Sequence, residues 1–121
     1  METEALKATE EYSAARSTHP RVSLADINAA IVCENYFTVG EALDALGQPA
    51  PDSTRLLTLA IVTVQNGFVF VGKSAPASPE NFDAEKGRVF AYEDAVKQIW
   101  PAMGYALRDR LAAQQGEYRE Q

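Results

Sequence analysis

Hydrophobic and polar positions change rhythm several times along the chain. Residues 1–20 are mostly polar, with Glu2, Glu4, Glu10 and Glu11 set against Lys7 and Arg16. Ala5, Leu6 and Ala8 could seed a helical turn, but no apolar stripe would dock it, and Ser17-Thr18-His19-Pro20 reads as a breaker. A mobile arm is expected over 1–20, with a short helix as the alternative. Val22-Ser23-Leu24-Ala25-Asp26-Ile27 then offers Ser23 as N-cap, Asp26 as its capping-box partner and Val22 against Ile27 as a hydrophobic staple. Ile27, Ala30, Ile31 and Glu34 keep helical spacing, and Val32, Tyr36 and Phe37 extend the apolar side, so this helix is expected to continue toward Phe37. Thr38-Val39-Gly40-Glu41 repeats the capping pattern ahead of Ala42, Leu43, Ala45 and Leu46, a second and shorter helix. A proline-stiffened loop from Gly47 to Ser53 follows.

The pattern then changes to β-branched and aromatic residues. Leu56 to Val64 and Phe68 to Val71 flank Asn66-Gly67, a strong hairpin signal, because a type I′ turn needs positive φ at both central positions. A two-residue turn would pair Val64 with Val69 and Val62 with Val71 on one face, Thr63 with Phe70 and Ile61 with Gly72 on the other. Both faces of that hairpin are mostly apolar. Helices must cover one, and a second subunit is the natural cover for the other in so short a chain. The connector from Ser74 to Asp83 has Ser78 placed to cap a turn with Pro79 at its first position. Beyond it Val89, Tyr92, Val96, Ile99, Met103, Leu107 and Leu111 recur at three- or four-residue steps, the stripe of one long helix or two abutting ones. Pro101 removes the bond to the Lys97 carbonyl and predicts a kink there. Gln114-Gln115-Gly116 ends the helix. The expected fold class is α+β: N-terminal helix, short helix, antiparallel β-hairpin, long kinked C-terminal helix. The expected division is an arm at 1–20, one domain at 21–115 and a tail at 116–121.

Composition narrows the chemistry. The 121 residues, 46% hydrophobic and 23% charged, suit one soluble globular domain. A net charge of −6 argues against coating duplex DNA or an anionic membrane, which needs a clustered basic surface, but it leaves room for a small anion held by a few local cations. No apolar run approaches the ~20 residues of a membrane span, and the first twenty residues lack a signal-peptide core. A cytoplasm is the expected setting. The single cysteine, Cys33, and the single histidine, His19, form no zinc motif. Cys33 is expected as a buried structural thiol and His19 as an exposed spectator. Nucleophile-elbow, Walker, dinucleotide-binding and zinc-protease motifs are all missing, so no catalytic residues, cofactor or metal are expected.

The densest polar constellation is Ser78-Pro79-Glu80-Asn81-Phe82-Asp83 followed by Lys86, Gly87, Arg88 and Tyr92. One reading is purely structural: Asp83 complements a helix start, Phe82 anchors the connector and Gly87 allows close packing. The other uses the same atoms on a ligand. Asn81 would donate and accept toward a base edge, Phe82 or Tyr92 would stack on it, and Gly87 would let the ligand approach the backbone. Six of the eleven basic residues follow Asp83, so Arg88 and Arg108 are the expected phosphate contacts. Trp100 and Tyr105 read as core or dimer contacts before a ligand platform.

Arg21-Val22-Ser23-Leu24-Ala25-Asp26-Ile27, Tyr36-Phe37-Thr38, Asn66-Gly67-Phe68, Gly72-Lys73-Ser74-Ala75, Ser78-Pro79-Glu80-Asn81-Phe82-Asp83, Gly87-Arg88, Ala91-Tyr92-Glu93 and Ile99-Trp100-Pro101 occur in that order. The series resembles a family of small tailed-phage proteins known by the gene 49 product of phage N4 and the gene 66 product of phage Sf6. The likeness covers about Arg21 to Ala113, with Pro76 as a departure confined to the connector. The resemblance implies an accessory protein of a phage or prophage acting inside a bacterium, and carries over no catalytic residues. Small phage proteins without enzyme motifs are often counter-defence factors, some of them sponges for nucleotide messengers. By that analogy the expected function is sequestration of a small cyclic or ADP-ribose-type nucleotide between subunits of a homo-oligomer built through the 56–71 hairpin. The alternative is an acidic inhibitor that blocks a host defence protein, which the −6 charge favours.

Overall fold

A computed structural model describes residues 1–116; of the tail expected at 116–121, all but Gly116 lies outside the described residues. The chain runs α1 (Glu4–Arg16), α2 (Leu24–Ala30), β1 (Ile31–Thr38), α3 (Val39–Ala45), β2 (Thr58–Val64), β3 (Val69–Ser74) and α4 (Ala84–Gln114), with short 3-10 turns at Asp52–Leu56 and Pro79–Asn81. The class is α+β: an antiparallel three-stranded sheet, ordered β1-β2-β3, with helices packed against one face.

The arm expected at residues 1–20 contains a helix. Thr3 caps α1 by accepting from the Leu6 amide, and Leu6 is buried in the core cluster. The docking force missing from the apolar pattern comes from polar contacts: Glu10 pairs with Arg21 and accepts from the Leu24 amide at 2.9 Å. The Arg21 guanidinium holds the Glu10 carboxyl below its ordinary value.

α2 opens with the capping box expected of Ser23 and Asp26, but it ends at Ala30 and the chain becomes a strand. The helix expected to reach Phe37 is thereby corrected. Ile31 to Thr38 is rich in β-branched and aromatic residues, and the free side of β2 offers it a complete ladder, which outweighs a weak helical spacing. A bulge at Val32 shifts the register between Ile31 and Cys33. Cys33 is exposed on the outer face of the sheet, so the buried thiol is corrected too.

The Asn66-Gly67 hairpin forms with a register one residue away from the expected one. Thr63 pairs with Val69, Val62 with Phe70 and Ala60 with Gly72. The loop holds three residues: the Gly67 amide donates to the Val64 carbonyl, the Val64 amide donates to Phe68, and only Gly67 has positive φ. Asn66 keeps negative φ and accepts from the Phe68 amide at 3.0 Å, which a type I′ turn would not allow. A one-residue slip exchanges the faces. Phe70 and Gly72 therefore point inward while Val69 and Val71 are exposed.

α4 covers β2 and β3. Ala91, Tyr92, Ala95, Val96 and Ile99 pack on Ala60, Val62, Val64 and Phe70, and Leu24 and Ile27 of α2 close the same core. The helix passes through Pro101 as a single element of 31 residues, and Trp100 Nε1 donates to the Val22 carbonyl at 3.0 Å. Among the described residues no helix is long and apolar enough to cross a membrane.

Candidate functional site

Three segments converge at one end of the sheet. The C-terminal end of β1 leads into α3, the Asp52–Leu56 turn leads into β2, and the connector enters α4. Asp83 fixes that last entry by accepting from the Lys86 amide at 3.0 Å. Gly87 then faces Thr58, where an added Cβ would lie 2.8 Å from the threonine oxygen. Gly87 thus serves the close packing of α4 on β2, the structural reading of that glycine, and it also borders a small hollow beside the connector. One turn of helix carries Ala84 and Arg88 to the side facing β1.

Between these segments lies a cleft of about 300 Å³ lined by Tyr36, Phe37, Thr38, Glu41, Arg55, Thr58, Phe82, Ala84 and Arg88. Two of its cations differ in state. Arg55 is held in a bidentate pair with Asp44, at 2.6 and 2.9 Å, which keeps the carboxyl below its ordinary value and the guanidinium above its own. Arg88 forms no ion pair among the described residues. Tyr36 forms part of the wall and donates its hydroxyl to Glu34 at 2.7 Å. Burial, and then that bond, push its phenol well above the ordinary range. The same Glu34 accepts from the Met1 ammonium at 3.1 Å.

The expected site residues separate into three groups. Phe82 and Arg88 line the cleft together. Asn81 lies in an adjoining hollow of about 180 Å³ with Lys86 and Phe90, and Thr58 and Phe82 border both spaces. Tyr92 is fully buried under the sheet and offers no face to a ligand, so its stacking role is corrected. Burial, and then the Glu34 charge, push its phenol up to about 12, and its hydroxyl has no hydrogen-bond partner among the described residues. Arg108 is twenty residues beyond Arg88 on the same helix, ~30 Å along its axis, and does not join the cleft. Tyr36, Glu41 and Arg55 were outside the expected set. The signal for Arg55 was its rarity, since it and Lys73 are the only cations between Val22 and Phe82. Among the described residues no group of three or more His, Cys, Asp or Glu is placed to hold a metal.

Fold and cleft together define a small α+β protein whose sheet is layered against one long helix, with an arginine-bearing aromatic recess at the sheet's end. The model of the Phage protein (N4 Gp49/phage Sf6 gene 66) family matches residues 22–111, and the chain belongs to that family. No curated protein and no solved structure matches it.

Proposed function

We propose that this phage protein is a non-enzymatic accessory factor that captures a small anionic, ring-bearing ligand in the Tyr36–Arg88 cleft. The observation that carries the reading is the juxtaposition of Arg88, without an ion pair among the described residues, with the aromatic side chains of Tyr36 and Phe82. A guanidinium binds a phosphate through paired N–H donors, and an aromatic face accepts any base by stacking. Glu41 supplies an acceptor for an exocyclic amine or ribose hydroxyl, which a plain phosphate lacks. The volume sits at the lower end of the ~300–1,000 Å³ of small-molecule sites, a fit for a nucleotide. In a phage protein such capture has an obvious use: removing a nucleotide messenger of host defence.

Calorimetry against a panel of mononucleotides, cyclic dinucleotides and trinucleotides, and cyclic ADP-ribose isomers tests it, with inorganic phosphate as the anion control. At least one nucleotide should bind, and Arg88→Ala should weaken it by ~10-fold or more, the worth of a charge-assisted pair. Absence of heat from every panel member, or undiminished binding by Arg88→Ala, overturns the reading.

A further inference from the structure

The two edges of the sheet are treated differently. Along β3 the residues whose N–H and C=O groups point outward are Val69, Val71 and Lys73, because Val64, Val62 and Ala60 take the inward groups of Phe68, Phe70 and Gly72. α4 meets two of those groups with side chains: Asp94 accepts from the Lys73 amide at 2.9 Å, and Gln98 donates to the Val71 carbonyl at 2.7 Å. A strand added there would have to displace both side chains.

On β1 the alternation runs the other way. Cys33, Asn35 and Phe37 direct their backbone groups to β2, continued by the Val39 amide on the Leu57 carbonyl. Glu34 and Tyr36 therefore direct theirs outward, and among the described residues no backbone or side-chain group meets those two amides and two carbonyls. β1 has no proline or lysine, and its bulge stands at the start of the strand, at Val32, which is 59% exposed, leaving Cys33 to Thr38 in regular register. Glu34 is the only charged residue on the strand, and its carboxylate already holds the Met1 ammonium and the Tyr36 hydroxyl.

We propose that this open edge pairs antiparallel with β1 of a second copy of the chain, joining two sheets into one of six strands. The partner is a copy because the edge is self-complementary. A two-fold axis through Asn35 sets Glu34 opposite Tyr36 of the second copy, so the four outward groups of each strand satisfy those of the other. The side-chain rows also agree. Cys33 meets Phe37 on the outer face, Asn35 meets Asn35, and no carboxylate stands opposite another, which an axis through Glu34 would impose. The pairing leaves Tyr36 and Phe37, both in the cleft wall, at the junction of the two copies.

Sedimentation of the full chain over a wide concentration range should show a reversible dimer. Asn35→Lys, at an exposed position, should weaken it more than about tenfold by opposing two ammonium groups, with an unchanged thermal melt at concentrations where both proteins are monomeric. A second variant keeps the register testable. Asn35→Cys combined with Cys33→Ser should give a disulfide-linked dimer on mild oxidation, because directly opposed non-hydrogen-bonded residues lie ~4.5 Å apart. The native Cys33 pair, ~13 Å apart in this register, should not cross-link. A chain that stays monomeric overturns the proposal and leaves the edge to a strand of another protein. A dimer that survives Asn35→Lys without trapping also overturns it and moves the contact to the outer face of Val69 and Val71.

Discussion

Replacing Gly72 with alanine should destabilise the fold by about 2 kcal/mol, the opposite of what the exchange does in an unobstructed strand. Gly72 is paired with Ala60 in β3 and does not have positive φ, so alanine suits its backbone. On conformational grounds alone the exchange would gain ~0.4–1 kcal/mol through the unfolded state. Space decides otherwise. An added Cβ would stand 1.9 Å from the Ala91 carbonyl oxygen and 2.6 Å from the Ala95 nitrogen. Both are backbone atoms in the middle of α4, so no side-chain rotation relieves the overlap. With ordinary contacts at ~3.5 Å, the helix must retreat by more than about 1 Å. That loosens Ala91, Ala95 and Val62, all fully buried, and overpacking of this kind costs ~1–3 kcal/mol. Gly104 is the internal control. It lies within α4 with nothing within 4 Å of an added Cβ, so alanine there should gain ~0.5–1 kcal/mol of helix propensity. Urea unfolding followed by circular dichroism measures both. At ~4–8 °C per kcal/mol, thermal melting should drop by roughly 10 °C for Gly72→Ala and rise by a few degrees for Gly104→Ala. A Gly72→Ala protein as stable as the parent would refute the close approach of α4 to the sheet.

Two further outcomes follow from polar groups. Tyr92→Phe removes a buried hydroxyl that has no partner among the described residues, so stability should be unchanged or rise by up to ~1 kcal/mol in the same unfolding assay; a loss beyond ~1 kcal/mol would reveal a hydrogen bond the structure does not contain. Glu10 has a carboxyl lowered in the fold by Arg21, so its contribution is complete above its ordinary value of 4.5 and is lost as pH falls through the lowered value. Far-ultraviolet dichroism should show α1 losing helicity over that acidic range, and Arg21→Ala should lose it without the Glu10 step; superimposable acid titrations of the two proteins would count against the tether.

The features readable in the sequence are those whose cause is local. Ser23 and Asp26 announce a helix start because both halves of a capping box lie within four residues, and the stripe from Val89 to Leu111 needs only the pitch of its own helix. β1 was hidden because its strand character comes from the free side of β2, some thirty residues away, while Ile27, Ile31 and Glu34 also satisfy a helical spacing. Phe82 and Arg88 could be found beside a helix start, whereas Tyr36 and Arg55 reach the cleft only through the pairing of β1 with β2. Tyr92, one turn beyond Arg88, looked equally available until the sheet buried it.

Asn66-Gly67 located the turn but not its register, since the pair suits both a two-residue loop with Asn at positive φ and a three-residue loop with Gly alone there. That single residue decides the architecture. With the shorter loop, Gly72 would face outward beside Ile61, and Val69 and Val71 would meet α4, holding the helix off the sheet by the width of their side chains. The longer loop turns Gly72 beneath Ala91 and allows the backbones to touch. Close approach at Gly72 is matched at Gly87, where α4 rests against Thr58, and one residue further on the helix delivers Arg88 to the cleft. The arginine that carries the proposed binding is therefore set in place by two glycines, one on each side of the layer.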